Sequence, residues 1–174
     1  MNGQPDRSRD EAFEAFYART APALWGYVSR ACGDAAQADD IVQETFMRYL
    51  NNVRPELPER QRKAFAYKIA SRLLIDGFRR KKTVSLEAAE EREAADIPTP
   101  GQETLPPDLK RLFASFPPRD RALLWLAYVE GYNHVEIAEI VGLRTGSIKV
   151  LLFRLRRSFA AALRNIGYHP EEIS

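Results

Sequence analysis

The sequence predicts an all-α protein of two small helical domains joined by an acidic, proline-containing linker. Three observations carry that prediction. Apolar residues recur at helical spacing through two separate stretches. Neither stretch shows the alternation or the β-branched runs that strands require. Between them, from about Thr83 to Pro107, Glu87, Glu90, Glu91, Glu93, Asp96 and Glu103 are interspersed with alanines and followed by Pro98, Pro100, Pro106 and Pro107. Prolines remove backbone donors and fix φ, so continuous helix is excluded there and a short helix over Leu86 to Ala95 is the most it allows. The domains are therefore expected at 1–83 and 107–174, with the linker at 84–106.

Composition narrows the function classes. The 174 residues, 45% hydrophobic and 29% charged, hold enough apolar material for packed cores and are not those of a disordered chain. No stretch approaches the roughly 20 uninterrupted apolar residues of a membrane span. The N-terminus carries Asp6, Arg7, Arg9, Asp10 and Glu11 where a signal peptide needs an apolar run. A soluble cytoplasmic protein without membrane insertion is expected. Cys32, the single cysteine, excludes an internal disulfide and a cysteine-cluster metal site, and its small and apolar neighbours favour a buried thiol. A net charge of +2 does not argue for nucleic acid by itself, so the placement of charge has to.

In the first domain, Phe13, Phe16, Tyr17, Leu24, Tyr27 and Val28 lie at helix spacing, and Pro22 is expected to start a new helix or kink the first. After Asp34, a capping residue, Ile41, Val42, Thr45, Phe46, Tyr49, Leu50 and Val53 form one apolar stripe opposite Asp39, Asp40, Gln43, Glu44 and Arg48. That helix stops at Asn51 to Pro55. A third helix, Glu59 to Lys82, buries Ile69, Ala70, Leu73 and Phe78. It carries Arg60, Arg62, Lys63, Lys68, Arg72, Arg79, Arg80, Lys81 and Lys82 against only Glu59 and Asp76.

The second domain is a run of short helices with clear punctuation. Leu109 to Phe116 stops at Pro117 and Pro118, and a helix from Pro118 to Val129 ends at Gly131. The segment from His134 to Arg154 then meets the spacing demands of a helix-turn-helix. Ala138 is small where a second helix must cross, and Gly142 stands where the turn needs a positive φ. Ile137, Val141, Ile148 and Leu151 are the expected wedge between the helices, Thr145 the expected cap of the second, and His134 a helix-start residue. Arg144 precedes that cap, where it can equally bind the carbonyls ending the first helix. Ser147, Lys149, Val150, Phe153 and Arg154 then face outward, as candidates for base edges and phosphates. Arg156, Arg157 and Arg164 extend the basic surface, with no acid between Glu139 and Glu171. Two short helices joined by a glycine turn reproduce part of this pattern in proteins that bind no DNA; the acid-free basic helix is what such a pair lacks.

Taken together, these segments resemble the extracytoplasmic-function (ECF) sigma factors of bacterial RNA polymerase, σ70-family members reduced to regions 2 and 4. Asp39-Asp-Ile-Val-Gln-Glu-Thr-Phe is similar to the region 2 core helix. Phe65-Ala-Tyr-Lys-Ile-Ala with Leu74-Ile-Asp-Gly-Phe-Arg-Arg is similar to the promoter-melting helix, and Phe116 through Arg157 to region 4. The resemblance implies a region 2-like bundle of three or four helices and a region 4-like helix-turn-helix domain. It implies that Asp39, Asp40, Gln43, Glu44 and Arg48 dock on the clamp helices of the polymerase β′ subunit, region 4 meeting the β flap. It places Lys68, Arg72, Arg79 and Arg80 on phosphates of the −10 element and Phe65 on an unpaired base, with Tyr67 weighed as a second stacking residue but favoured as core. Arg144, Thr145, Ser147, Lys149, Val150, Phe153, Arg154 and Arg157 fall to the −35 element. An anti-sigma partner is implied as well. One departure stands out: Ser71-Arg72 replaces the Asn that commonly follows the Ile-Ala of the melting helix, and a guanidinium lacks an amide's acceptor.

Catalytic residues, metal ligands and cofactors are not expected, since no P-loop, glycine-rich nucleotide fingerprint, HExxH or nucleophile elbow is present. Two rivals remain at this point. A helix-turn-helix repressor or activator would bind duplex DNA without polymerase. A metal-dependent enzyme would use Asp39, Asp40 and Glu44, which no His joins.

Overall fold

The computed structural model describes residues 7–52, 55–84 and 106–168. Every regular element among them is helical. Val53, the possible helix over Leu86 to Ala95, the linker acids and Glu171 lie outside the described residues.

Three long helices make the first unit: α1 (Arg7–Cys32), α2 (Ala35–Asn52) and α3 (Glu59–Val84). Helix α1 passes through Pro22 as one element, where a new helix or a kink was the expectation. A proline removes one backbone bond and crowds the preceding turn, a cost the buried residues on both sides of it, Phe16, Leu24, Tyr27 and Val28, outweigh. Asp34 caps α2 as expected, its Oδ1 accepting from the Gln37 amide at 3.0 Å.

The core is aromatic. Phe16 stacks on Tyr49 with centroids 4.9 Å apart, and Phe46 meets both edge-on. Tyr27 and Tyr67 are buried, and Ser71 Oγ lies 2.8 Å from Tyr27 Oη while donating to the Tyr67 carbonyl at 2.7 Å. Burial pushes the Tyr27 hydroxyl up to about 12, against the opposing Ser71 contact. Position 71 thus packs inward and Arg72 faces out, so of the two residues at this departure only Arg72 meets solvent. Tyr17 and Leu50, expected in the core, are 45% and 44% exposed. They sit at the margins of their stripes, where two packed helices leave a groove.

The second unit holds α4 (Pro107–Ala114), α5 (Pro118–Leu124), α6 (His134–Val141) and α7 (Thr145–Asn165). Between α5 and α6 the chain widens into a π-helical turn at Trp125–Val129, closed by the Glu130 amide on the Trp125 carbonyl at 3.1 Å. Asn133 and Glu136 form a reciprocal capping box at the start of α6, immediately before His134. Gly142 ends α6 at φ 73°, the left-handed conformation the turn was expected to require.

The wedge differs from the expected set. Ile137, Ile140, Ile148, Leu152 and Leu155 are buried, whereas Val141 and Leu151 are only half-buried. A shift of one residue turns a side chain by about 100° around a helix, which moves Leu151 to the rim and Leu152 to the centre. Thr145 does not cap α7: Arg144 holds the cap position, with no side-chain capping bond.

The two units pack on each other, α6 against α3 and α5 against α1.

Candidate nucleic-acid interface

Among the described residues nothing covers the outward face of helix α7. Arg144, Thr145, Ser147, Lys149, Val150, Phe153, Arg154 and Arg157 are all exposed, Phe153 by 53%. From Ser147 to Arg157 these side chains cover an arc of roughly 160° around the helix, opposite Ile148, Leu152 and Leu155. Arg157 holds its guanidinium 5.9 Å from the centre of the Phe153 ring, within cation–π reach. The free amides of the first turn add partial positive charge beside Arg144 and Thr145. The whole face suits a polyanion whose base edges are within reach of side chains.

Helix α3 carries the second basic surface. Phe65, Lys68, Arg72 and Arg79 fall within roughly 60° of one another around the helix, a row some 21 Å long, and Arg80 flanks it. Arg72, Arg79 and Arg80 are exposed, whereas Phe65 and Lys68 are half-buried. Phe65 leans on Tyr49 at 6.1 Å between centroids. With Lys68 it also lines a cleft of about 260 Å³ whose other wall is Glu136, Glu139 and Ile140 of α6. Tyr67 points the other way, into the interior, as favoured.

On α2, Asp39, Asp40, Gln43 and Arg48 are exposed and Glu44 half-buried. Asp39 accepts from Trp25 Nε1 at 2.7 Å, and Glu44 pairs with Arg48 at 2.6 Å. These carboxylates do not converge on a common point, and the described residues hold no group of three or more His, Cys, Asp or Glu able to share a metal ion. Beside them runs an apolar groove of about 960 Å³ lined by Tyr17, Trp25, Val42, Phe46 and Met47. Met47, 56% exposed, escaped the sequence reading because an isolated apolar residue in a polar face carries no periodic signal. A smaller apolar cleft, about 360 Å³, opens between Phe113, Trp125, Tyr128 and Phe159.

The sequence reading also missed the contact between the units. Arg60 forks onto Glu136, and Glu130, 5% exposed, pairs with Lys63 at 2.6 Å and accepts from Tyr67 Oη at 2.5 Å. The hydrogen bond from Arg60 holds the Glu136 carboxyl below its ordinary range. Burial and the Glu130 carboxylate push the Tyr67 hydroxyl well above its own. Asn133 and Glu136, three residues apart, were a legible capping signature; their neighbours in space were not. Cys32 is half-buried, donates to the Asp34 carbonyl at 3.2 Å and has its thiol pKa raised by burial. Among the described residues no helix is long and apolar enough to cross a membrane.

Residues 16–84 match the Sigma-70 region 2 family and residues 103–159 the Sigma-70 region 4 family. The chain is 30% identical over 166 residues to the ECF RNA polymerase sigma factor SigL of Mycobacterium tuberculosis, covering 88% of this chain and 89% of SigL. It is 26% identical to SigW of Bacillus subtilis, over 79% and 81% of the two chains. The sigma factor RpoE of Bartonella quintana, solved in complex with the anti-sigma factor NepR, shares the fold at a TM-score of 0.72 and 21% identity, over 87% of this chain and 96% of RpoE. Two region matches in the right order, together with a relative of this identity along nearly its whole length, place the chain among the ECF RNA polymerase sigma factors, which direct promoter-specific transcription initiation.

Proposed function

We propose that the two basic faces divide the promoter between them. Helix α7 enters the major groove of the −35 element, with Ser147, Lys149, Val150, Phe153 and Arg154 on base edges and Arg144, Thr145 and Arg157 on phosphates. Helix α3 takes the −10 element, with Lys68, Arg72, Arg79 and Arg80 along the backbone and Phe65 under an unstacked base. Residues 1–83 act as region 2, 84–106 span the polymerase, and 107–174 act as region 4. The observation that carries this reading is the pair of outward basic rows on two different domains, each opposite a packed apolar stripe.

Asp39, Asp40, Gln43, Glu44 and Arg48 dock on the β′ clamp helices of core polymerase, and the adjoining apolar groove adds Tyr17 and Met47 to that face. The apolar cleft around Trp125 and Phe159 is the seat for the β flap. The chain supplies recognition and strand capture, without catalytic chemistry or a cofactor of its own. It works in the cytoplasm and is held by an anti-sigma partner until needed; that RpoE was solved with NepR supports such a partner here.

The test is transcription by sigma-free bacterial core polymerase with this protein and a library of randomised −35 and −10 elements. Specific transcripts are expected, and their sequences define both elements. Absence of transcripts and of core binding, with duplex DNA still bound by the protein alone, returns the repressor.

A further inference from the structure

We propose that Glu130 and Glu136 of region 4 form an intramolecular latch on α3, which leaves the −35 face open and shields the leading end of the −10 face until the two regions part. Both acids meet cations of the melting helix. Arg60 donates to both oxygens of Glu136, at 2.8 and 2.9 Å, and to the Gly131 carbonyl at 3.0 Å, and lies 5.0 Å from the Tyr132 ring centre. Glu130 is the buried member. Of its three donors among the described residues, Lys63 Nζ and Tyr67 Oη belong to region 2, and Trp125 Nε1, at 3.3 Å, comes from its own domain. A carboxylate sealed from water needs those donors, so its charge is compensated only while the regions are together. A second seam runs from Arg121, which donates to the Ala31 carbonyl near the end of α1 at 3.0 Å.

The chemistry of this contact suits a reversible switch. Buried ion pairs nearly balance their attraction against desolvation, so such a contact closes with a modest net gain and opens when another polyanion or protein surface competes for the same cations. Region 4 here sets carboxylates against Arg60 and Lys63 on the helix that has to reach promoter phosphates. It also walls Phe65 and Lys68 into the cleft against Glu139 and Ile140. The outward face of α7 takes no part in the contact. The closed protein can therefore engage a −35 duplex directly, whereas capture of the −10 strand requires opening. The order of the two steps rests on the division of the promoter proposed above; the latch itself does not.

The test uses the full chain and the variant Glu130→Gln/Glu136→Gln, which keeps the shape and the capping box but removes both charges. Small-angle scattering gives the radius of gyration, about 16 Å for one compact body of this length. Binding is read with two fluorescent probes, a random 12-nucleotide single strand and a random duplex. The variant is expected to expand by several ångströms and to bind the single strand at least about tenfold more tightly, with duplex binding unchanged. Arg60→Glu/Lys63→Glu, altered on the other side of the contact, is expected to expand the molecule in the same way. Wild-type dimensions in both variants overturn the latch. Expansion without a gain in single-strand binding keeps the latch and removes α3 as the −10 reader.

Discussion

Helix α3 runs 26 residues and α7 runs 21, and each turns apolar residues inward and a row of Lys and Arg outward. Their surroundings separate them. Among the described residues the outward face of α7 has no neighbour, whereas α3 gives one flank to α1 and α2 and another, near Arg60 and Lys63, to the acids of region 4. A basic helix is thus not an available helix: the same side chains that attract phosphates are equally served by carboxylates of the same chain. The difference also separates two kinds of support. The platform of α3 is a dense aromatic core around Phe16, Phe46 and Tyr49, while α7 stands on aliphatic packing of Ile137, Ile148, Leu152 and Leu155.

The hardest test of this comparison removes one platform. Phe16→Ala, at a residue with no exposure, is expected to cost region 2 about 3–5 kcal/mol in denaturant unfolding while α7 still binds duplex DNA. Loss of duplex binding as well would mean that the two domains fold as one unit. Next in size are the reading residues. Lys149→Ala or Arg154→Ala is expected to cost about 1–3 kcal/mol of discrimination within the −35 element and none within the −10 element. Arg72→Ala should instead weaken opened-strand binding evenly across sequences and lower its salt slope by about 1.

Smaller effects sharpen the account of region 4. Asn133→Ala removes the cap of α6 and is expected to cost about 1 kcal/mol, read as a lower unfolding midpoint. Acid gives the least. The hydrogen bond from Arg60 lowers the Glu136 pKa in the closed state, so its contribution is complete above the ordinary carboxylate value of 4.5 and is lost as pH falls through the lower, closed-state value. Arg60 is more than half exposed, so this pair should contribute below about 1 kcal/mol. Scattering should accordingly show the loss of this pair as a slight expansion below about pH 4.5. Unchanged dimensions through that range would mean that the Arg60–Glu136 pair adds nothing to the closed state.

Local chemistry was legible in the residue order. Helix periodicity marked α2, the prolines marked the ends of α4 and the start of α5, and Gly142 marked the turn, because each acts through backbone preferences that travel with the residue itself. The outward rows of α3 and α7 were legible for the same reason: spacing along a helix fixes which side chains share a face. What those rows meet was decided by tertiary structure. Pro22 stayed inside α1 because packing on either side outweighed a local cost. Tyr17 and Leu50 came to the surface because helices touch along a limited strip. Leu152 took the place of Leu151 because one residue of helical phase decides which side chain reaches the centre. Residues 60, 63 and 67 met 130 and 136 across more than 60 positions of sequence. The partner of a charge separated so far along the chain is set by how two domains dock, which depends on the whole of both surfaces and on no local pattern in either.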